Sequence, residues 1–173
     1  MSKTEQIREA FERNRKAMEL RPAIARGTAT TTCRTIDGLT CEVTDGTFKL
    51  TADEPKSEGG GDAGPMPGFF IRAGLASCCA MSYVMCAARF GVPIESIEVE
   101  VETDYDARGS FGLADVPHGF TEVRRIINVH SSAPEADILR VIEAGDNMSA
   151  MLEVVRDPVT VKREVRIVQP RAA

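Results

Sequence analysis

Tryptophan is missing from this chain of 173 residues, and only 7 phenylalanines and 2 tyrosines supply aromatic surface. That is too little for stacking platforms along a single nucleic-acid strand. A basic excess is missing too: 21 Lys and Arg stand against 26 Asp and Glu, a net charge of -5. Together these exclude a general nucleic-acid binder. Histidine is scarce. His118 lies in a Gly/Pro-rich loop and His130 at a strand end, and both read as surface residues. The five cysteines (Cys33, Cys41, Cys78, Cys79, Cys86) include no C-x-x-C pair, so no zinc site and no other metal or cofactor is expected. P-loop, G-x-S-x-G and dinucleotide fingerprints are also lacking. The opening MSKTEQIREAFERNRK is charged and has no apolar leader, and free thiols suit a reducing compartment, so a cytoplasmic location is expected.

What is present is a hydrophobic content of 43%, enough for the core of one domain. Residues 1–22 read as an amphipathic helix, with a capping box from Ser2 to Glu5 and a stop before Pro22. Residues 23–173 read as a single domain. Three short strands are expected between Arg26 and Ala52, broken at Asp37-Gly38 and Asp45-Gly46. Residues 52–67 form a Gly/Pro loop. The run from Gly68 to Phe90 is apolar nearly all round. Arg72, the Ser and Gly content and the lack of a second such run identify a buried helix rather than a membrane span. Ile97, Val99, Val101 and Thr103 alternate with Glu98, Glu100, Glu102 and Asp104, a strand with a solvated acidic face. A second strand covers 121–130, a helix runs from Pro134 to a Gly145 C-cap, and helical structure continues from Asp146 to Val155. A last strand carries Val159, Val161, Val165 and Ile167. The order α-βββ-α-ββ-α-β implies an α+β fold with antiparallel sheets. A helix this apolar needs more cover than one chain provides, which points to a second copy.

Only the thiols make a chemical claim. Cys78 and Cys79 lie on the apolar helix, where burial raises a thiol pKa unless donors or a cation oppose it. Arg26, Arg34, Arg72 and Arg89 are the candidate cations, and Arg72 lies on the wrong side of the helix for Cys78. Within one helix Cys79 and Cys86 are too far apart for a disulfide, while Cys33 and Cys41 sit one register step from facing each other.

Several segments together resemble the OsmC/Ohr family, the osmotically induced and organic-hydroperoxide-resistance proteins. They are DEP and GGGDAGPMP within 53–67, LASC at 75–78, GVPIESIEVEVE, and AGDNMSAML at 144–152. The resemblance implies an intertwined homodimer with central helices between antiparallel sheets. It also implies a thiol peroxidase of peroxiredoxin type, with Cys78 as peroxidatic cysteine and Arg34 as its guanidinium. Two positions depart from the pattern. Gly68 replaces the carboxylate that orients the Arg, and Asp146 replaces the second cysteine. Cys79 then becomes an accessory candidate, and regeneration falls to an external thiol reductant. Two functions follow from this: reduction of organic hydroperoxides through Cys78, or a non-catalytic dimer binding a small apolar ligand at its interface.

Overall fold

The computed structural model describes residues 1–169. Helix α1 (Lys3–Leu20) starts at the capping box, where Ser2 Oγ accepts from the Glu5 N–H and the Glu5 carboxylate accepts from the Ser2 N–H. It lies along the central helix as an arm and buries no residue fully. Arg89 stacks over the Phe11 ring at 4.3 Å and fixes the arm in place. A 3-10 turn (Pro22–Ala25) follows.

Strands β1 (Thr32–Asp37), β2 (Thr40–Asp45) and β3 (Phe48–Ala52) form an antiparallel meander. Each two-residue loop opens on a glycine with φ near 55°, Gly38 and Gly46. The register puts Cys33 opposite Val43 and Val43 opposite Leu50, so one face carries Cys33, Cys41, Val43, Phe48 and Leu50. Arg34, Glu42 and Lys49 lie on the other face and pair with one another. Cys33 and Cys41 are diagonal neighbours and both are free thiols. Among the described residues that apolar face is covered only in part: Cys41 and Val43 are half-buried, but Phe48 is 75% and Leu50 54% exposed.

Asp53 organises the loop after β3. Its carboxylate accepts from Thr40 Oγ1 and from the Glu54, Gly61 and Ala63 N–H groups. Helix α2 (Pro67–Phe90) then opens with Pro67 in its first turn and ends at Gly91, whose φ is 69°. It is the one helix among the described residues long and apolar enough to cross a membrane. It packs instead against α1, the second sheet and the C-terminal helices. That sheet joins β4 (Ser96–Tyr105) to β5 (Phe120–His130), with a one-turn helix α3 (Ala107–Ser110) in the connection. Helices α4 (Glu135–Asp146) and α5 (Ala150–Arg156) complete the described elements. The core collects Leu75, Cys79, Tyr83 and Cys86 of α2 with Val141 of α4 and Leu152 of α5, over Ile97, Val99, Val123 and Ile127 of the sheet.

Two expectations need correcting. Gly145 does not cap a helix; it lies inside α4, whose C-cap is Asn147. Its lack of a side chain serves packing, because a Cβ there would come within 2.3 Å of Tyr83 Cδ1. The last strand does not form. Regular structure ends at Arg156, and Val159, Val161, Val165 and Ile167 stay exposed. The ladders among the described residues are β1-β2-β3 and β4-β5, and the segment after Arg156 joins neither. Residues 170–173, the end of the expected domain, lie outside the described residues.

Candidate functional site

The two-stranded sheet explains how a charge enters the core. Val101 faces Arg125, Val99 faces Ile127 and Ile97 faces Val129, so Arg125 occupies an inward position among valines and isoleucines. Its neighbour Arg124 points outward, where it meets Glu102 at 2.9 Å, Asp104 at 2.6 Å and Glu122 at 3.0 Å. Two consecutive arginines thus have opposite fates because side chains alternate across a strand.

Arg125 is received by Asp146, at the end of α4. Nη1 donates to Oδ1 at 2.7 Å and Nη2 to Oδ2 at 2.9 Å, a two-point pair. Tyr83 adds its hydroxyl, which donates to Asp146 Oδ1 at 2.6 Å and accepts from Arg125 Nη1 at 3.0 Å. The guanidinium holds the Asp146 carboxyl below the usual carboxylate range. Burial and the adjoining carboxylate push the Tyr83 phenol well up, so it remains a donor.

The sulfurs lie beside this cluster. Arg125 Nη1 reaches Cys79 Sγ at 3.5 Å, and Cys79 is fully buried. Ser149, the N-cap of α5 and only 2% exposed, stands between the thiols: its Oγ lies 3.3 Å from Cys78 Sγ and 3.5 Å from Cys79 Sγ. Burial pushes the Cys78 thiol up, but four donors outweigh it and hold the group below its ordinary value. These are the Ser149 hydroxyl, the Met151 and Ala150 backbone N–H groups, and the Ser82 hydroxyl. Burial pushes the Cys86 thiol up, and the Arg89 guanidinium beside it does not offset that. An apolar groove of about 430 Å³, lined by Ile71, Gly74, Met151, Val154 and Val155, runs between α2 and α5. Cys78 lies on α2 one helical turn beyond Gly74, which lines that groove.

Cys78, Cys79 and Asp146 therefore share one neighbourhood. Arg34 is not part of it within the chain; it is 74% exposed and pairs with Glu42 at 3.5 Å on the polar face of the hairpin sheet. Gly68 lies in the first turn of α2, where a Cβ would stand 3.4 Å from Arg72 Nη1 and 3.7 Å from Phe120 Cζ. Arg72 itself donates to Thr103 Oγ1 at 3.3 Å. Reading the sequence missed Arg125, Tyr83 and Ser149. The signal for Arg125 was there, a charge in the apolar phase of Val123-x-Arg125-x-Ile127-x-Val129.

The family model for OsmC-like protein matches residues 59–164, the segment that holds both thiols, Arg125, Asp146 and Ser149. The chain belongs to the OsmC family. The sequence matches none of the curated proteins. Among solved structures, this OsmC family member is similar to an OsmC-like protein of Mycoplasma pneumoniae, with a TM-score of 0.66 and 17% identity over 76% of this chain and 89% of that one. It is also similar to an organic hydroperoxide resistance protein of Legionella pneumophila (TM-score 0.55, 19% identity, 79% of this chain and 96% of that one). A third is the organic hydroperoxide resistance protein OhrB of Bacillus subtilis (TM-score 0.53, 22% identity, again 79% and 96%). At these identities the likeness carries the α+β fold with its antiparallel sheets.

Proposed function

We propose that this OsmC family member is a thiol-dependent reductase of organic hydroperoxides, working in the cytoplasm as a homodimer with Cys78 as the attacking sulfur. One observation carries the reading: the Cys78 sulfur accepts a hydrogen bond at 3.3 Å from Ser149 Oγ, the N-cap of α5, one helical turn from an apolar groove. The thiolate attacks the outer oxygen of the hydroperoxide, the O–O bond breaks, and the alkoxide leaves to take a proton from water. Cys78 becomes a sulfenic acid. Asp146 stands where a second cysteine would condense with it, and Asp146 is held by Arg125. An external thiol therefore forms a mixed disulfide with release of water, and a second thiol returns Cys78 to the reduced state.

Three uncovered apolar regions support the dimer: the Val43, Phe48 and Leu50 face of the hairpin sheet, Met81 and Val84 on α2, and the alternating valines after Arg156. A second copy would cover the first two and give the third an edge to pair with. Sedimentation should then report twice the chain mass of 18.8 kDa.

The non-catalytic reading keeps one point in its favour, since among the described residues no guanidinium hydrogen-bonds to Cys78 and Gly68 supplies no carboxylate. Thiol titration after a slight excess of cumene hydroperoxide separates the two. One thiol should disappear from the wild type at least about tenfold faster than from Cys78→Ser, since the thiolate is the nucleophile. Equal rates favour a binder of apolar ligands.

A further inference from the structure

Cys79 has no part in the steps above, yet it is fully buried and touches both Arg125 and Ser149. Ser149 has one hydroxyl proton and two sulfurs within reach, and its oxygen already accepts from the Leu152 N–H at 3.3 Å. If that proton points at Cys79, Cys78 loses its closest side-chain donor. One arrangement satisfies every group in sequence. The Arg125 N–H donates to the Cys79 sulfur, the Cys79 S–H donates to the Ser149 oxygen, and the Ser149 O–H donates to the Cys78 sulfur. A negative charge on Cys78 selects this direction, and each bond polarises the next.

We propose that Cys79 is a positioning residue that passes the pull of Arg125 through Ser149 to the Cys78 sulfur. Arg125 then acts on Cys78 without touching it. The charged and titratable groups around the chain are Arg125 from β5, Asp146 from α4, Arg156 from α5 at 3.8 Å from Asp146, and Tyr83 of α2 itself. Arg125 and Asp146 largely cancel as charges, so the directed hydrogen bonds decide the acidity of Cys78 rather than the net field.

The inference rests on Cys78 being the working thiol, but its readout is acidity and not turnover. Alkylation of Cys78 by iodoacetamide, followed by peptide mass across pH, measures it directly. Near pH 6.5, Ser149→Ala should slow alkylation about tenfold and Cys79→Ala about threefold, in keeping with loss of a hydrogen bond to a charged group at the first site and of a neutral one at the second. Cys79→Ser, which can still accept and donate, should stay within about twofold of wild type. Cys79→Ala equal to wild type, or Cys79→Ser as slow as Cys79→Ala, overturns the relay. A simple core role predicts the first of these. The wild type tests it without substitution: alkylating Cys78 should shift the Raman S–H stretch of Cys79, and an unmoved band overturns the relay as well. Should hydroperoxide turnover fail while the acidity pattern holds, the peroxidase reading falls and the relay stands.

Discussion

Gly145→Ala is expected to destabilise the protein by about 2–3 kcal/mol, read as a lowered urea midpoint. In an exposed helix interior the same change stabilises by about 1 kcal/mol, because alanine restricts the unfolded chain and favours helix. Packing reverses the sign here. The new Cβ would sit 2.3 Å from Tyr83 Cδ1 and 3.1 Å from the Tyr83 backbone nitrogen. Tyr83 is fully buried and its hydroxyl is held by Asp146 and Arg125, so the ring cannot swing away without breaking that cluster. The backbone contact means that α4 and α2 must separate. Gly145→Ala combined with Tyr83→Leu should recover part of the loss, and failure to recover any of it would show that the ring is not the obstacle.

Arg125→Met should cost about 3 kcal/mol, because it strands the Asp146 carboxylate in the core. That is the lower end of the range for broken buried pairs, since the two side chains keep 16% and 20% of their surface in water. The double change Arg125→Met with Asp146→Leu should lie much closer to wild type, because an apolar pair leaves no charge unpaired. Linkage gives a second reading of the same pair. The Asp146 pKa is depressed by folding, so its contribution is complete above the ordinary aspartate value near 3.9 and is lost as pH falls through the lower folded value. Acid unfolding of the wild type should therefore steepen below about pH 4, and the double variant should show less of that dependence. A stable Arg125→Met protein would mean that the pair is incidental.

Local rules made most of the fold legible. The Ser2–Glu5 box, the glycines after Asp37 and Asp45, Pro67, Gly91 and the alternation of 97–104 each act through their own backbone or their immediate neighbours. The elements they mark are present. The failures share a different cause. Gly145 looked like a cap because glycine commonly ends helices, but its reason lies on α2, more than 60 residues earlier in the chain. The strand expected from Val159 to Ile167 has its pattern but pairs with neither sheet.

The candidate site was legible in part, for the same reason. Cys78 stood out as a thiol on an apolar helix beside a family motif, and Asp146 as an odd replacement. Arg34 was chosen from its place in the motif, yet the register puts it on the polar face with Glu42. Arg125 could have been found from strand phase. Ser149 could not, because its role depends on α5 presenting its N-cap to two sulfurs on α2.

The most direct measurement is peptide mass mapping of the wild-type protein exposed to one equivalent of cumene hydroperoxide in the presence of dimedone, which traps sulfenic acids. Activation of Cys78 by its donors predicts that the dimedone adduct appears on Cys78 first and that Cys33, Cys41, Cys79 and Cys86 remain thiols over the same interval. Adducts spread evenly over the exposed cysteines, or none on Cys78, would contradict it.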